Sequence, residues 1–197
     1  MNIHSPIMLF VTVCAITALS ACGTPRHTAE VHNTTEPTRV QPEVRDTSAQ
    51  PPPWRWFVGR DQIPAVYLSE WAKAKNRAHC ALLVVPEHGQ AVRPEAKARR
   101  AEFAGGWAVA YDLPNRRGAY GVAGTGVSLT KGGDEYQWPK QQHWSDGSRM
   151  SYGLEGGTGP AYLAYLHVAG QNCLYNVWSI LGEKHLLQLV DDLRRVR

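Results

Sequence analysis

The sequence predicts an α+β fold, an antiparallel sheet with a C-terminal amphipathic helix packed on one face. Short apolar runs separated by Gly, Asn and Asp turn residues indicate antiparallel strands. Near the C-terminus, Leu186, Leu189, Val190 and Leu193 recur at i, i+3, i+4 and i+7, which places them on one stripe of a helix. All seven tryptophans and all eight tyrosines follow residue 53, so we expect one folded domain over 54–197.

The first part of this domain predicts two helical segments and one strand. Residues 69–76 favour a short helix capped by Ser69. Residues 80–85 form a compact apolar run that ends at Pro86, typical of a buried strand. Residues 94–100 are rich in Ala, Glu, Lys and Arg, which favours a helical turn.

The middle of the domain predicts four strands. Residues 103–111 and 119–127 flank a turn at 112–115, and glycines in the second segment permit close approach of a neighbouring group. Residues 162–168 and 173–180 predict a hairpin closed by Ala169-Gly170-Gln171-Asn172.

The ends of the C-terminal helix carry complementary charges. Glu183 stands at its start, and we expect Arg194, Arg195 and Arg197 at its end. This distribution matches the helix dipole, which favours negative charge at the N-terminus and positive charge at the C-terminus.

An apolar run of thirteen residues, 7–19, opens the chain and has the length of a signal-peptide core. It is too short to span a bilayer, and the six residues before it lack Lys and Arg. The run closes with Leu19-Ser20-Ala21-Cys22, which resembles the lipobox of bacterial lipoproteins. The resemblance implies removal of residues 1–21, a diacylglyceryl group on the Cys22 thiol and acylation of its new amine. The alternative is an ordinary signal peptide cut nearby, with Cys22 unmodified.

The same resemblance implies a location in the cell envelope. The expected partner of acylated Cys22 is a lipid bilayer. One acyl chain alone binds a protein to a membrane only marginally, whereas three chains anchor it stably. In enteric bacteria, Asp after the lipidated cysteine favours retention in the inner membrane, whereas Gly23 stands here. We therefore expect a protein that faces the periplasm, with the outer membrane favoured.

Residues 22–53 are expected to be the lipidated cysteine and a disordered tether. The stretch 23–53 contains no aromatic residue and only three valines as branched aliphatic residues. Such a composition buries too little apolar surface to offset the entropy of ordering.

The balance of charge argues against nucleic acid as a partner. Residues 54–197 contain eighteen Lys and Arg and thirteen Asp and Glu, a modest net charge of +5. A nucleic-acid reader usually shows a denser basic patch or a recognisable module.

Two cysteines remain for the folded domain. Cys14 leaves with the signal peptide and Cys22 carries lipid, which leaves Cys80 and Cys173. An oxidising periplasm favours a disulfide between them, and two buried free thiols are the alternative.

The sequence shows no set of residues for metal, cofactor or catalytic chemistry. The five histidines of 54–197 lack metal-ligand spacing, and a Gly-x-Ser-x-Gly elbow is absent. The glycine-rich segment 118–126 lacks the spacing of phosphate and dinucleotide loops. We expect a protein that is not an enzyme. Glu135, Asp146 and Glu155 keep open an alternative, the acids of a glycan-directed hydrolase.

Tyr136, Trp138 and Trp144 predict a binding surface. They lie among polar residues and follow no regular helical or strand periodicity. Tyr and Trp are enriched as interface anchors, and they also stack on sugars. The partner is then a periplasmic protein or a cell-wall glycan. The alternative is that both tryptophans pack under a long loop.

The run Gly105-Gly106-Trp107-Ala108-Val109-Ala110-Tyr111-Asp112 resembles uncharacterised small lipoproteins of Gram-negative bacteria, a resemblance that implies no activity. The leading hypothesis is a membrane-anchored, non-catalytic binding module, acting as an inhibitor or immunity protein or within an envelope complex. A cell-wall hydrolase and a purely structural envelope component are the alternatives.

Overall fold

A computed structural model gives the structure and describes residues 43–45, 47–103, 105–125, 138–157 and 161–197. The chain divides into two compact units, 1–39 and 40–197, and every described residue lies in the second. The predicted signal peptide and Cys22 lie outside the described residues, so their roles stay predictions. Among the described residues, none of the helices has the length and apolar character needed to cross a membrane.

The described residues form two α-helices, α1 (Ala65–Lys73) and α2 (Glu183–Asp191), and eleven strands. The strands are β1 (Glu43–Arg45), β2 (Phe57–Val58), β3 (Leu83–Val84), β4 (Lys97–Ala101), β5 (Trp107–Leu113), β6 (Arg116–Gly124), β7 (Lys140–His143), β8 (Arg149–Leu154), β9 (Tyr162–His167), β10 (Leu174–Ser179) and β11 (Arg194–Val196).

Eight strands form one sheet in the order β1-β7-β8-β9-β10-β6-β5-β4. All neighbours in it are antiparallel except β1 and β7. The other three strands form a small sheet in the order β2-β11-β3, in which β11 runs parallel to β2 and antiparallel to β3. The predicted α+β class and the mostly antiparallel sheet are therefore confirmed.

One side of the large sheet is the centre of the hydrophobic core. Trp107, Val109 and Tyr111 alternate along β5 and are at most 2% exposed. Their register partners on β6 and on the next strand, β10, continue the buried row. We call this side the inner face and define it by Trp107, Val109, Tyr111, Tyr120, Val122, Tyr175 and Val177.

The phenol groups of the inner face have partners in the core. The Tyr111 and Tyr67 hydroxyl oxygens lie 3.2 Å apart, and Val85 donates its N–H to Tyr67 at 3.3 Å. Tyr111 also reaches the Val85 carbonyl oxygen at 3.3 Å. Burial raises the pKa of both phenols far above the usual value, so both stay protonated. The core thus contains polar groups that hydrogen-bond one another, as buried polar groups must.

Strand β4 corrects the predicted helical turn over 94–100. Lys97–Ala101 pairs residue by residue with β5, at the edge of the sheet. Composition reports intrinsic helix preference, which tertiary pairing overrides. Its basic side chains also suit an edge strand, because charge there opposes pairing with another chain.

Helix α1 begins four residues before the predicted start. It starts at Ala65, directly after Pro64, and Ser69 lies inside it and donates its hydroxyl to the Val66 carbonyl at 3.0 Å. Proline suits a position at the start of a helix because it lacks the N–H that would be unpaired there. The predicted capping role of Ser69 is therefore wrong.

The predicted strands of the middle region are present with shifted ends. The segment predicted over 80–85 is a strand only at Leu83–Val84, because it pairs with the three-residue strand β11 alone. The segments 103–111 and 119–127 correspond to β5 and β6, which extend to a tight turn around Asn115. The predicted hairpin is formed by β9 and β10.

The C-terminal helix is present as α2, and Leu186, Leu189, Val190 and Leu193 are fully buried. The last turn of α2 contains no basic residue. The arginines expected there lie beyond it: Arg194 and Arg195 are in β11, and Arg197 follows that strand. Strand pairing with β2 and β3 takes this segment, so the predicted position of the arginines in the last turn is wrong. Arg194 still contacts the end of α2, because its Nη1 donates to the Asp191 carbonyl at 2.8 Å.

The folded unit includes the end of the predicted tether 22–53. Glu43–Arg45 pairs with β7, Thr47 donates its hydroxyl to the His143 carbonyl, and Ser145 donates its N–H to the Gln50 carbonyl at 3.0 Å. These hydrogen bonds order a mostly polar segment, in which Thr47 and Pro52 are buried. The boundary expected at residue 53 therefore overlaps the folded unit.

The disulfide between Cys80 and Cys173 is present, with 5.2 Å between the Cα atoms and a sequence separation of 93. It joins the loop before β3 to the start of β10. Next to it, the Gln171 side-chain oxygen accepts the Ala81 N–H at 2.8 Å, and Tyr175 donates its hydroxyl to the Ala81 carbonyl at 2.8 Å. The disulfide and these hydrogen bonds together fix the β9–β10 loop on the segment that leads to β3.

Candidate binding face

The second side of the large sheet carries partly exposed aromatic and polar side chains. Strand alternation places Asn176 and Trp178 of β10 opposite in direction to the buried Tyr175 and Val177. Neighbouring Leu163 and Tyr165 of β9 share that side through their pairing with Trp178 and Asn176. We call this side the outer face and define it by Phe103, Trp138, Leu163, Tyr165, Asn176 and Trp178.

One aromatic stack on the outer face is formed by Trp138 and Tyr165. Their ring centroids lie 6.1 Å apart, with 20° between the planes. Strand β8 provides the room for it, because a Cβ on Gly153 would lie only 2.9 Å from Cε3 of the Trp138 ring. Glycine at this position therefore allows an indole to lie flat on the sheet.

A second stack is formed by Phe103 and Trp178, with centroids 6.4 Å apart and 22° between the planes. The Trp178 ring covers Gly121 of β6, where a Cβ would collide with the indole. Its Nε1 donates to the Gly118 carbonyl at 3.1 Å, which fixes the ring orientation. Trp138, which precedes β7, and Trp178 of β10 thus follow one local pattern, an indole lying over a strand glycine.

Polar groups lie between the two stacks. In the hairpin, Asn176 pairs with Tyr165 of the first stack and stands two residues from Trp178 of the second. The Asn176 Oδ1 and Trp138 Nε1 atoms are buried and have no hydrogen-bond partner among the described residues. An acceptor and a donor therefore remain unsatisfied on this face, and a buried polar group without a partner costs about 1–3 kcal/mol.

A charged pair lies on the outer side near the β4 edge. Arg99 donates through Nε to both carboxylate oxygens of Asp112, at 2.9 and 2.8 Å, and Gly118 donates its N–H to Asp112 at 2.6 Å. The Arg99 side chain holds the pKa of Asp112 below its usual value. Both oxygens of this carboxylate thus accept hydrogen bonds from groups of the protein itself.

The structure separates the residues predicted as a binding surface. Trp138 belongs to the outer face, whereas Trp144 is only 4% exposed and packs edge-on against fully buried Trp54, with centroids 4.8 Å apart. For Trp144, the structure favours the alternative that the ring is packed inside the protein. Tyr136 lies outside the described residues.

The three acids of the hydrolase alternative do not form a described group. Glu135 lies outside the described residues, and Glu155 is exposed on a short 3₁₀ turn. Asp146 accepts hydrogen bonds from the backbone N–H and the hydroxyl of Ser148, both at 2.9 Å. This arrangement is that of a turn-stabilising carboxylate.

A serine, a histidine and an aspartate meet inside the core. His185 Nε2 lies 2.9 Å from the Ala91 carbonyl, and Nδ1 lies 2.9 Å from the Ser179 hydroxyl. Because a carbonyl only accepts, Nε2 carries the proton and neutral Nδ1 accepts from Ser179. Asp192 accepts the Ala91 N–H at 2.7 Å rather than contacting the imidazole.

This cluster is closed to substrate. Ser179 is 0% and His185 3% exposed, and the Ser179 oxygen also accepts the Leu181 N–H at 3.0 Å. Burial lowers the pKa of His185 and raises that of Asp192. The geometry supports a structural network that joins α2, β10 and the segment around Ala91.

Metal ligation finds no support in the described ranges, where His, Cys, Asp and Glu form no group of three or more that could hold an ion. His143 is exposed, and both ring nitrogens of His185 are occupied by hydrogen bonds to Ala91 and Ser179.

Sequence reasoning missed Phe103, Tyr165, Asn176 and Trp178. A usable signal existed for the last two, since Asn176 and Trp178 alternate with the apolar Tyr175 and Val177 in a predicted strand. Alternation identifies two faces but does not tell which one the rest of the chain covers.

We compared the chain with protein-family models, with curated proteins and with solved structures, and found no match. The geometry of the outer face and the sequence of the N-terminus therefore carry the functional argument.

Proposed function

We propose that this protein is a membrane-anchored, non-catalytic binding module of the cell envelope, and that its outer face binds a cell-wall glycan strand. The observation that carries this proposal is the pair of aromatic stacks, Trp138 with Tyr165 and Phe103 with Trp178, on either side of Asn176. Tyr136, Trp144 and the acids near them are not needed for it.

The chemistry of the outer face suits a sugar better than a protein surface. A pyranose ring presents a C–H face that packs on an aromatic ring, and hydroxyls around its rim that both donate and accept. The outer face offers four partly exposed aromatic rings, and the Asn176 side chain near them is partly exposed, although its Oδ1 atom and the Trp138 Nε1 atom are buried. A protein hot spot instead centres on a fully desolvated apolar anchor, and Leu163 is the one aliphatic member of this set.

The anchor belongs to the same proposal. Acylated Cys22 holds the module on a bilayer, and Gly23 favours the outer membrane, so that the face meets wall glycan on the periplasmic side. A module of this kind links membrane and wall within an envelope complex. Shielding glycan from an attacking enzyme, the inhibitor or immunity role, requires the same surface.

Helix α2 completes the proposal by covering the inner side of the sheet. Support comes from the Tyr120 and His185 rings, whose centroids lie 4.8 Å apart, and from the Ser179–His185 hydrogen bond. Lys140 of β7 also binds Glu183 at the start of α2 at 2.7 Å. With α2 on the inner side, the outer face stays available to a ligand.

The test is binding of the detergent-solubilised full chain to purified, protein-free peptidoglycan, measured by co-sedimentation. We expect Trp138→Ala with Trp178→Ala to weaken binding about tenfold or more, since each aromatic stacking contact contributes about 0.5–1.5 kcal/mol. Trp56→Ala is the matched control, because Trp56 is 58% exposed and lies outside the outer face. The control should bind like the parent protein.

Other results lead elsewhere. Equal binding by the parent and the double variant places the ligand on another surface, and no binding at all rejects the glycan. Release of soluble muropeptides by the parent protein supports the hydrolase instead. Crosslinking of a single envelope protein that the double variant loses makes the outer face a protein-binding site.

A further inference from the structure

Two large apolar side chains next to each other are exposed in the small sheet. Trp56 is 58% and Phe57 52% exposed, at the start of the edge strand β2. Single exposed apolar residues are common and need no explanation. Trp56 and Phe57 are consecutive residues on extended backbone, so their rings point to opposite sides of this edge, and both are exposed. Neither ring contributes to the core.

Three exposed arginines lie along the same edge. Arg55 places its guanidinium carbon 5.0 Å from the centroid of the Trp56 ring. The Arg197 N–H donates to the Val58 carbonyl, and Arg60 Nε donates to the Arg197 carbonyl at 3.2 Å, so both stand beside β2. The side chains of all three arginines are exposed. Two exposed acids lie nearby, Asp61 and Glu87, whose N–H donates to the Gln62 carbonyl at 3.0 Å, so the three arginines still leave the set net positive.

We infer that this arginine-aromatic edge, formed by Arg55, Trp56, Phe57, Arg60 and Arg197, docks on an anionic phospholipid surface. Tryptophan is enriched at the interface between membrane and water because its ring is apolar and its N–H is polar. Exposed arginines are attracted to anionic headgroups, about fivefold in binding per residue near the surface. The edge combines both features on adjacent residues.

The length of the chain makes the bilayer the favoured occupant. The choice of a bilayer as the occupant rests on the proposed lipid anchor. The exposed rings and arginines of the edge do not depend on that anchor. Twenty residues, 23–42, separate Cys22 from Glu43, and the 21 steps between the two Cα atoms span at most about 75 Å even when fully extended. An acylated Cys22 therefore keeps a bilayer within reach of the folded unit at high effective concentration. Since the acyl chains already supply attachment, docking of the edge fixes orientation.

The sequence provides its own reporter for a test. Of the seven tryptophans, Trp56 is the one in the exposed class, and the chain before residue 54 has none. We would place the full chain in vesicles of brominated phosphatidylcholine, with and without phosphatidylglycerol, and measure quenching of tryptophan fluorescence. We expect quenching that depends on phosphatidylglycerol and that Trp56→Leu largely removes.

Matched charge variants identify the edge. Arg55→Gln, Arg60→Gln and Arg197→Gln together should reduce the phosphatidylglycerol-dependent quenching at least tenfold in the docking equilibrium. Arg77→Gln, Arg116→Gln and Arg117→Gln remove the same charge from other exposed positions and should leave quenching unchanged. Equal loss in both triple variants overturns the inference, because it indicates a general charge effect.

Two further results overturn docking on lipid. The first is the same quenching of Trp56 with and without phosphatidylglycerol. The second is burial of Trp56 that rises with protein concentration in the absence of vesicles, which assigns the edge to a second copy of the chain. Co-sedimentation with vesicles of phosphatidylcholine alone tests the anchor separately, so failure of the anchor and failure of the edge are distinguishable.

Discussion

The two faces of the large sheet use the same kinds of aromatic residue for different purposes. On the inner face, Trp107 and Tyr111 are at most 2% exposed, and the Tyr111 hydroxyl is hydrogen-bonded in the core. On the outer face, Trp138 and Trp178 lie flat over glycines, each stacked on one other ring and partly exposed. The comparison shows that what covers a tryptophan decides its role, and that the residue type alone does not.

The largest expected effect separates the two faces by stability. Trp107→Ala should lower the free energy of unfolding by about 3–5 kcal/mol, because it leaves a cavity in the core. Trp178→Ala should cost about 1 kcal/mol, since a partly exposed ring loses less buried area. Urea unfolding followed by circular dichroism measures both. Similar costs for the two variants would contradict the distinction between the faces, and Trp107→Phe provides a milder inner-face variant that still folds.

The disulfide tests whether packing alone holds the inner face. Cys80→Ser with Cys173→Ser should lower the free energy of unfolding by about 2–4 kcal/mol, since the bridge closes a long loop in the unfolded chain. The double variant should match the parent protein measured under reducing conditions. A variant as stable as the oxidised parent would show that the hydrogen bonds of Gln171 and Tyr175 suffice to hold the β9–β10 loop.

The smallest effect comes from titration of His185, which is 3% exposed. Burial holds its pKa below the usual 6.5, against the Ala91 carbonyl and Asp192, which raise it, and with Arg93, which lowers it. As pH falls through 6.5, the unfolded chain binds a proton that the native chain excludes, so stability falls. The slope is at most about 1.4 kcal/mol per pH unit for one proton.

Urea unfolding between about pH 8 and pH 5 measures this slope. His185→Gln should flatten it, whereas His88→Gln, a change at an exposed histidine, should not. Burial raises the pKa values of Asp191 and Asp192. Their ionisation above pH 3.8 therefore lowers the free energy of unfolding as the pH rises, which is opposite in sign to the effect of His185. If the stability of the parent protein does not change near pH 6.5, the native state does not hold His185 neutral with a lowered pKa.

Sequence patterns predicted the elements whose own residues decide their structure. The stripe of α2 and the β9–β10 hairpin follow from local periodicity, and the disulfide was predicted from the two cysteines that remain after Cys14 and Cys22 are assigned to the expected signal peptide and lipid anchor. Strand β4 was mistaken for a helical turn because its pairing with β5 is a tertiary interaction that composition does not report. The arginines after α2 were misplaced for the same reason, since their strand partners are far along the chain.

The candidate site was predictable only in part. Trp138 and Trp144 stand six residues apart in one aromatic segment, and the sequence treats them alike. Trp144 is buried because Trp54, ninety residues earlier, packs against it, while Trp138 lies beside Tyr165 on the outer face. Such contacts depend on the order of strands in the sheet, which the sequence pattern leaves open.

The short parallel pairing of β1 with β7 also has a mechanical consequence. Force applied to the chain ahead of residue 43 loads β1 first, and its three residues are all exposed and lie at an edge of the sheet. Peeling of residues 43–53 frees a segment that spans at most about 35–40 Å before the load reaches Trp54, which is fully buried against Trp144. Under such a load we expect the three-residue pairing of β1 to separate before the buried Trp54 indole is pulled from its contact with Trp144.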